Sequence, residues 1–138
     1  MNDILSIWDR LIAPQEGDDA LKWHLPLLAE RLINLRKLRN KHLDPSFFGE
    51  PAWDILLDLY VSQHSARDVS ISSACLGAGA PNTTGLRWLA KLEQDGLIER
   101  RDDQFDRRRA YVRLSTEGER RVVAYLYDAA ASLGYKPS

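Results

Sequence analysis

Five small residues in a row, Gly77-Ala78-Gly79-Ala80-Pro81, separate two stretches whose apolar residues recur at helical spacing. Such a turn lets two helices cross at a steep angle, and it narrows the folds open to the chain. Around it, residues 69–114 read in order as short strand, helix, turn, helix, strand, loop and strand. Ser70 or Ser72 can cap the first helix, whose buried residues are Ala74, Cys75 and Leu76. Asn82 can cap the second, Thr83 to Gln94, and Gly96 takes the left-handed position that ends it. Leu97–Arg101 then reads as the outgoing strand of a hairpin, Asp102–Asp106 as its loop and Arg107–Leu114 as the returning strand. The expected fold class is mainly α with a small β-hairpin wing: a winged helix-turn-helix flanked by N- and C-terminal helices.

A helical wheel divides the second helix into two faces. Leu86, Leu89 and Leu92, with Gly85, point toward a core. Trp88 sits at the edge of that apolar face and reads as a core or rim residue. Thr84, Arg87 and Lys91 lie opposite, at steps of three and four, with Thr83 beside them. Hydroxyls near a helix N-terminus, followed by an arginine and a lysine, suit a major groove: Thr and Arg reach base edges, while Lys and first-turn amides hold phosphates. Arg107, Arg108 and Arg109 cluster at the tip of the hairpin or on its returning strand, where they can cross a phosphate backbone or enter a minor groove. Asp106 can pair with one of them and set the shape of the wing. The expected DNA-binding residues are therefore Thr83, Thr84, Arg87, Lys91, Arg107, Arg108 and Arg109, on a recognition helix 83–94 and a wing 102–109.

Charge supports this placement only through its distribution. The chain carries a net −1, yet of the four stretches 1–46, 47–80, 81–113 and 114–138 only the third, with eight Lys/Arg against six Asp/Glu, is net positive. A single cysteine excludes an internal disulfide framework and fits a reducing compartment. No apolar run approaches the roughly 20 residues that span a bilayer, and the N-terminus lacks signal-peptide features. The expectation is a cytoplasmic protein without a membrane partner.

The flanks read as helices. Residues 2–12 place Ile4, Leu5, Trp8, Leu11 and Ile12 at helical spacing, with Pro14 and Gly17 as a stop. Leu21, Leu25, Leu28, Leu32 and Leu35 form the seam of a second helix, which either kinks at Pro26 or begins there. That seam packs within its own subunit or across a dimer axis, and dimerisation is favoured because two half-sites add affinity and spacing specificity. Glu50-Pro51 opens a further helix, with Trp53, Leu56, Leu57 and Tyr60 buried and Asp54 and Asp58 on the solvent side. Residues 1–46 are thus assigned to dimerisation or partner binding, 47–116 to the DNA-binding core, and 117–138 to a C-terminal helix packing on the dimerisation region.

The run from Val69 through Gly118 resembles the DNA-binding core of the MarR family of bacterial winged-helix regulators. The resemblance rests on Leu92-Glu93-Gln94-Asp95-Gly96-Leu97-Ile98-Glu99-Arg100, then Asp106-Arg107-Arg108 and Leu114-Ser115-Thr116-Glu117-Gly118 at matching spacing. It implies an aspartate–arginine wing motif on Asp106 and Arg108, and a recognition helix at Thr83–Gln94. It also implies a homodimer joined by helices from both chain ends, with response to a small-molecule effector as in many members.

Other chemistries find little footing. The chain shows no nucleophile–base constellation, no phosphate-cradling glycine loop and no paired carboxylates in a cleft, so no enzyme and no cofactor is expected. His24, His42 and His64 lack metal-ligand spacing, and Cys75 reads as a small buried apolar residue. The tryptophans and tyrosines read as core rather than as the lining of a ligand cavity. The expected function is sequence-specific binding of double-stranded DNA as a transcription regulator. The weak net charge keeps a second function in view, a winged-helix module that binds another protein and no DNA.

Overall fold

The computed structural model describes residues 24–78 and 82–134. The helix expected over residues 2–12, and Leu21 of the leucine seam, lie outside them. The described elements are α1 (Leu25–Leu38), α2 (Pro51–His64), β1 (Val69–Ser70), α3 (Ile71–Gly77), α4 (Asn82–Gln94), β2 (Ile98–Asp102), β3 (Ala110–Leu114) and α5 (Thr116–Ser132). The expected mainly helical fold with a small β-hairpin is observed. Two 3₁₀ turns, Arg39–Lys41 and Pro45–Phe47, connect α1 to α2.

Local chemistry sets most of these boundaries. Pro26 falls in the first turn of α1, where a missing amide costs nothing, so the helix begins there and does not kink. Pro51 plays the same part at the start of α2. Between the two candidate caps of α3, Ser70 is the one used: its hydroxyl oxygen accepts from the Ser73 amide at 3.1 Å. Helix α4 ends on Gly96 at φ 78°, with the Gly96 amide on the Glu93 carbonyl and the Leu97 amide on the Leu92 carbonyl. These two bonds make a Schellman closure, which needs the left-handed backbone that glycine supplies.

The three strands form one antiparallel sheet in the order β1-β3-β2. Val69 pairs with Val112, and the hairpin register runs from Ile98 opposite Leu114 to Asp102 opposite Ala110. One core passes through all the layers. It includes Leu25 and Leu28 of α1, Ile55, Leu57 and Tyr60 of α2, Leu89 of α4, and Leu126 of α5. Burial, with Glu119 and Tyr127 nearby, pushes the Tyr60 hydroxyl up to about 12. Trp53 and Tyr125 meet edge to face with centroids 4.8 Å apart, tying α2 to α5.

Several sequence expectations need correction. Leu76 is 82% exposed, because α3 buries only Ala74 and Cys75 and its last turn faces outward. Leu35 leaves the leucine seam for solvent, while Leu25 and Leu28 stay buried. Asp54 and Asp58 are half-buried, not on the solvent side, since α1 packs along α2 and covers their flank. Arg36 of α1 bridges Asp54 at 3.1 Å and Glu50 at 2.6 Å. Asn82 is the first residue of α4 and not a cap outside it. The C-terminal helix runs from Thr116 to Ser132, one residue earlier at its start than expected.

Gly118 marks a tight corner. A Cβ there would collide with the Leu97 carbonyl oxygen. Ser115 fastens the same corner: its hydroxyl donates to the Gly96 carbonyl at 2.6 Å and accepts from the Gly118 amide at 2.9 Å. The start of α5 is thereby bonded to the end of α4.

Candidate nucleic-acid interface

Helix α4 buries Gly85, Leu89 and Leu92, which lie within about 60° of one another on a wheel of 100° per residue. Because the helix is continuous from Asn82 to Gln94, Thr84, Arg87 and Lys91 project from the opposite side, again within about 60°. Thr83, Arg87 and Lys91 are exposed and Thr84 is half-buried. Leu86, expected in the core, is 42% exposed; it stands about 100° from Gly85, at the edge of the packed face. Trp88 borders the other edge and is also partly open.

Gly85 sets how closely α4 approaches α3. A Cβ there would lie 2.9 Å from the Cys75 sulfur and 3.1 Å from the Cys75 Cα, so the two helices touch through a position with no side chain. Burial pushes the Cys75 thiol up, which disfavours the reactive thiolate.

On the exposed face, Lys91 reaches Asp95 at 3.3 Å in an open pair of the kind that holds little energy. Among the described residues, neither Arg87 nor Arg107 has a carboxylate within ion-pairing distance. Both guanidinium groups are available to an external anion.

The wing loop differs from the sequence expectation in extent. Strand β3 starts at Ala110, so Arg107, Arg108 and Arg109 all belong to the loop and not to the returning strand. Two aspartates fold the loop. Asp103 accepts from the Phe105 amide at 2.8 Å and from the Tyr111 hydroxyl at 3.3 Å. Asp106 accepts from the Arg108 amide at 3.0 Å, and the Asp103 and Arg109 amides bond to the Arg109 and Asp106 carbonyls. The Phe105 amide bond holds the Asp103 carboxyl below the usual carboxylate range, opposed by some burial and helped by Tyr111 and Arg109. The Arg108 guanidinium lies 3.5 Å from Asp106 with its side chain 93% exposed. Asp106 does pair with a neighbouring arginine, and Arg108 is the partner.

The seven expected site residues thus fall into two sets on separate elements: four on α4 and three in the wing loop. Helix α4 packs on β2, from which the wing extends. Sequence reasoning missed Asp103, Tyr111 and Phe105. The two Asp-x-X turns that shape the loop were available as a signal, since aspartate commonly bonds the amide two residues on. Arg101 and Arg113, also basic and nearby, are occupied by Asp68 at 3.6 Å and Glu99 at 3.1 Å.

Among the described residues no helix is long and apolar enough to cross a membrane. Two open cavities flank the helix pair α1–α2. One of about 320 Å³ is lined by Leu32, Arg36, Trp53 and Tyr125 among others. The other, about 460 Å³, lies between α1, α2 and the end of α3.

The consecutive helices α3 and α4, backed by a three-stranded sheet with a protruding hairpin, define a winged helix-turn-helix protein. Solved structures narrow the class further. S. aureus MepR in its DNA-binding conformation matches with a TM-score of 0.52 at 21% identity, over 77% of this chain and 77% of that one. AF1382 from Archaeoglobus fulgidus matches with a TM-score of 0.52 at 19% identity, over 64% of this chain and 93% of that one. The fold is MarR-like winged helix. No family model and no curated protein matches the sequence.

Proposed function

We propose that this chain is a sequence-specific double-stranded DNA-binding transcription regulator that works as a homodimer. The observation that carries the proposal is the division of α4: a packed face of Gly85, Leu89 and Leu92, and an outward face of Thr84, Arg87 and Lys91. In this reading helix 83–94 enters the major groove, Thr83 and Thr84 start it against bases or phosphates, and Arg87 reads a base edge. Lys91 exchanges its exposed bond to Asp95 for a phosphate. Wing residues 102–109 lie on the flanking backbone or minor groove, held there by Arg107, Arg108 and Arg109. MepR, similar in fold, is seen in complex with DNA.

Dimerisation or partner binding is assigned to residues 1–46, with the C-terminal helix in 117–138 packing on that region. Support comes from the exposed Leu35 and Leu38 of α1, Tyr125 of α5 and Leu133 just past its end, large apolar residues on or beside the two flanking helices. A small-molecule effector would use one of the cavities beside α1 and α2, since both adjoin helices that would carry the dimer contacts. PefR, also similar in fold with a TM-score of 0.51, is seen with heme and carbon monoxide. The chain itself is read as a binding protein and not as an enzyme.

Selection of bound duplexes from a random pool tests the proposal. The expected product is an inverted repeat whose half-sites are about 10 base pairs apart centre to centre, or a multiple of that. Recovery of no preferred sequence overturns sequence specificity, and a single unrepeated site overturns the symmetric dimer. The net charge of −1 favours one other reading, a winged helix that binds protein alone. Absence of duplex binding even at low salt would establish it over DNA binding.

A further inference from the structure

The loop between β2 and β3 contains one apolar residue, Phe105, among Asp103, Gln104, Asp106 and three arginines. Its side chain is 95% exposed, more than any other large apolar residue among those described. The position is not slack. The Phe105 amide is bonded to Asp103, the next carboxylate is bonded to the Arg108 amide, and two backbone bonds close the loop beneath them. A prepared loop therefore holds a bare aromatic ring in water.

A lone ring with charged neighbours is too small for a protein-docking patch, which needs about 800 Å² per partner. Its surroundings suit a nucleic acid. Phe105 is two residues from Arg107, so their Cα atoms are at most about 7.6 Å apart, comparable with a minor-groove width of about 6 Å. Arginines on phosphates would bring the ring to the groove floor. There an apolar wedge can slip between base pairs and open the step.

We propose that Phe105 is such a wedge: its ring partly unstacks a base step in the minor groove beside each recognition helix and bends the duplex. The inference rests on the DNA-binding reading above and adds a source of specificity to it. The step favoured is a flexible pyrimidine–purine step, TA or CA/TG, chosen by its ease of unstacking and not by hydrogen bonds.

The test uses duplexes recovered from the random pool, end-labelled for energy transfer and carrying 2-aminopurine in the flanking step. The full-length wild type, Phe105→Ala, Phe105→Leu and Arg87→Ala are titrated against them. Wild type and Phe105→Leu are expected to brighten the 2-aminopurine and shorten the end-to-end distance. Phe105→Ala should lose both signals, bind on the order of tenfold more weakly, and no longer favour a flexible flanking step. Its melting midpoint should match wild type, because the ring is almost wholly in solvent. A Phe105→Ala protein that brightens and bends the duplex like wild type overturns the wedge. So does tight wild-type binding with the flanking step left stacked. If in either of those cases Arg87→Ala still loses sequence preference, DNA docking stands while the wedge falls. A wild-type protein that binds no duplex at low salt overturns both.

Discussion

Asp58 sits on α2 with a carboxylate oxygen 3.3 Å from where a Cβ of Gly77 would be, facing the carbonyl end of α3. Burial raises its pKa, and Arg67 and then Lys37 offset only part of that shift. A carboxyl with a raised folded-state pKa stabilises the fold below its unfolded pKa, near 4, and that stability is lost as pH rises through the folded value. Asp58→Asn, which does not titrate, should therefore raise the thermal midpoint at pH 7. The advantage should shrink to nothing below about pH 4, as calorimetry across that range would show. The arginines of the interface divide in a different way. Arg87→Ala should cost about 1–3 kcal/mol of binding and relax preference at one base position, measured by competition between duplex variants. Arg108→Ala should weaken specific and unrelated duplexes alike and lower the salt slope by about 1 in a log–log titration.

At the scale of elements, contacts without side chains hold the helix-turn-helix unit together. Gly85→Ala would push a methyl against the sulfur and backbone of Cys75, and overpacking of that kind costs about 1–3 kcal/mol. Urea unfolding should show that loss. Duplex affinity should fall by more than stability alone explains, because α4 must shift on α3. Gly118→Ala places its methyl on a backbone carbonyl that cannot rotate away, so its loss of stability should exceed that of Gly85→Ala. Legibility in the sequence follows the same division between local and distant causes. Gly96, Pro51 and a serine cap before α3 were readable because each acts through its own few residues. The half-burial of Asp54 and Asp58 depends on how α1 packs on α2, and the outward turn of Leu76 on which face α3 buries; no local pattern encodes either. The wing was placed correctly, but its loop was drawn too short. Arg107–Arg109 look like strand until Asp103 and Asp106 claim the backbone amides around them.

For the whole molecule, the flanking segments leave Leu35, Leu38, Tyr125 and Leu133 open to solvent. If they meet a second copy, sedimentation equilibrium should give twice the 15.7 kDa chain mass. Leu35→Glu with Leu38→Glu should then sediment as a monomer with its helix content intact. That variant should also lose the steep affinity for an inverted repeat while keeping weak binding to a half-site. A dimer that survives both substitutions would place the axis elsewhere. The fold also ties the two ends of the helix-turn-helix unit together. Ser115 clasps the last carbonyl beyond α4 and the first turn of α5 with one hydroxyl, and Gly118 leaves no clearance around it. The joint behaves as a rigid elbow. In the proposed dimer, a tilt of α5 at the subunit contact would swing α4 with it, and the angle at which the two copies of α5 cross would then set the distance between the paired α4 helices.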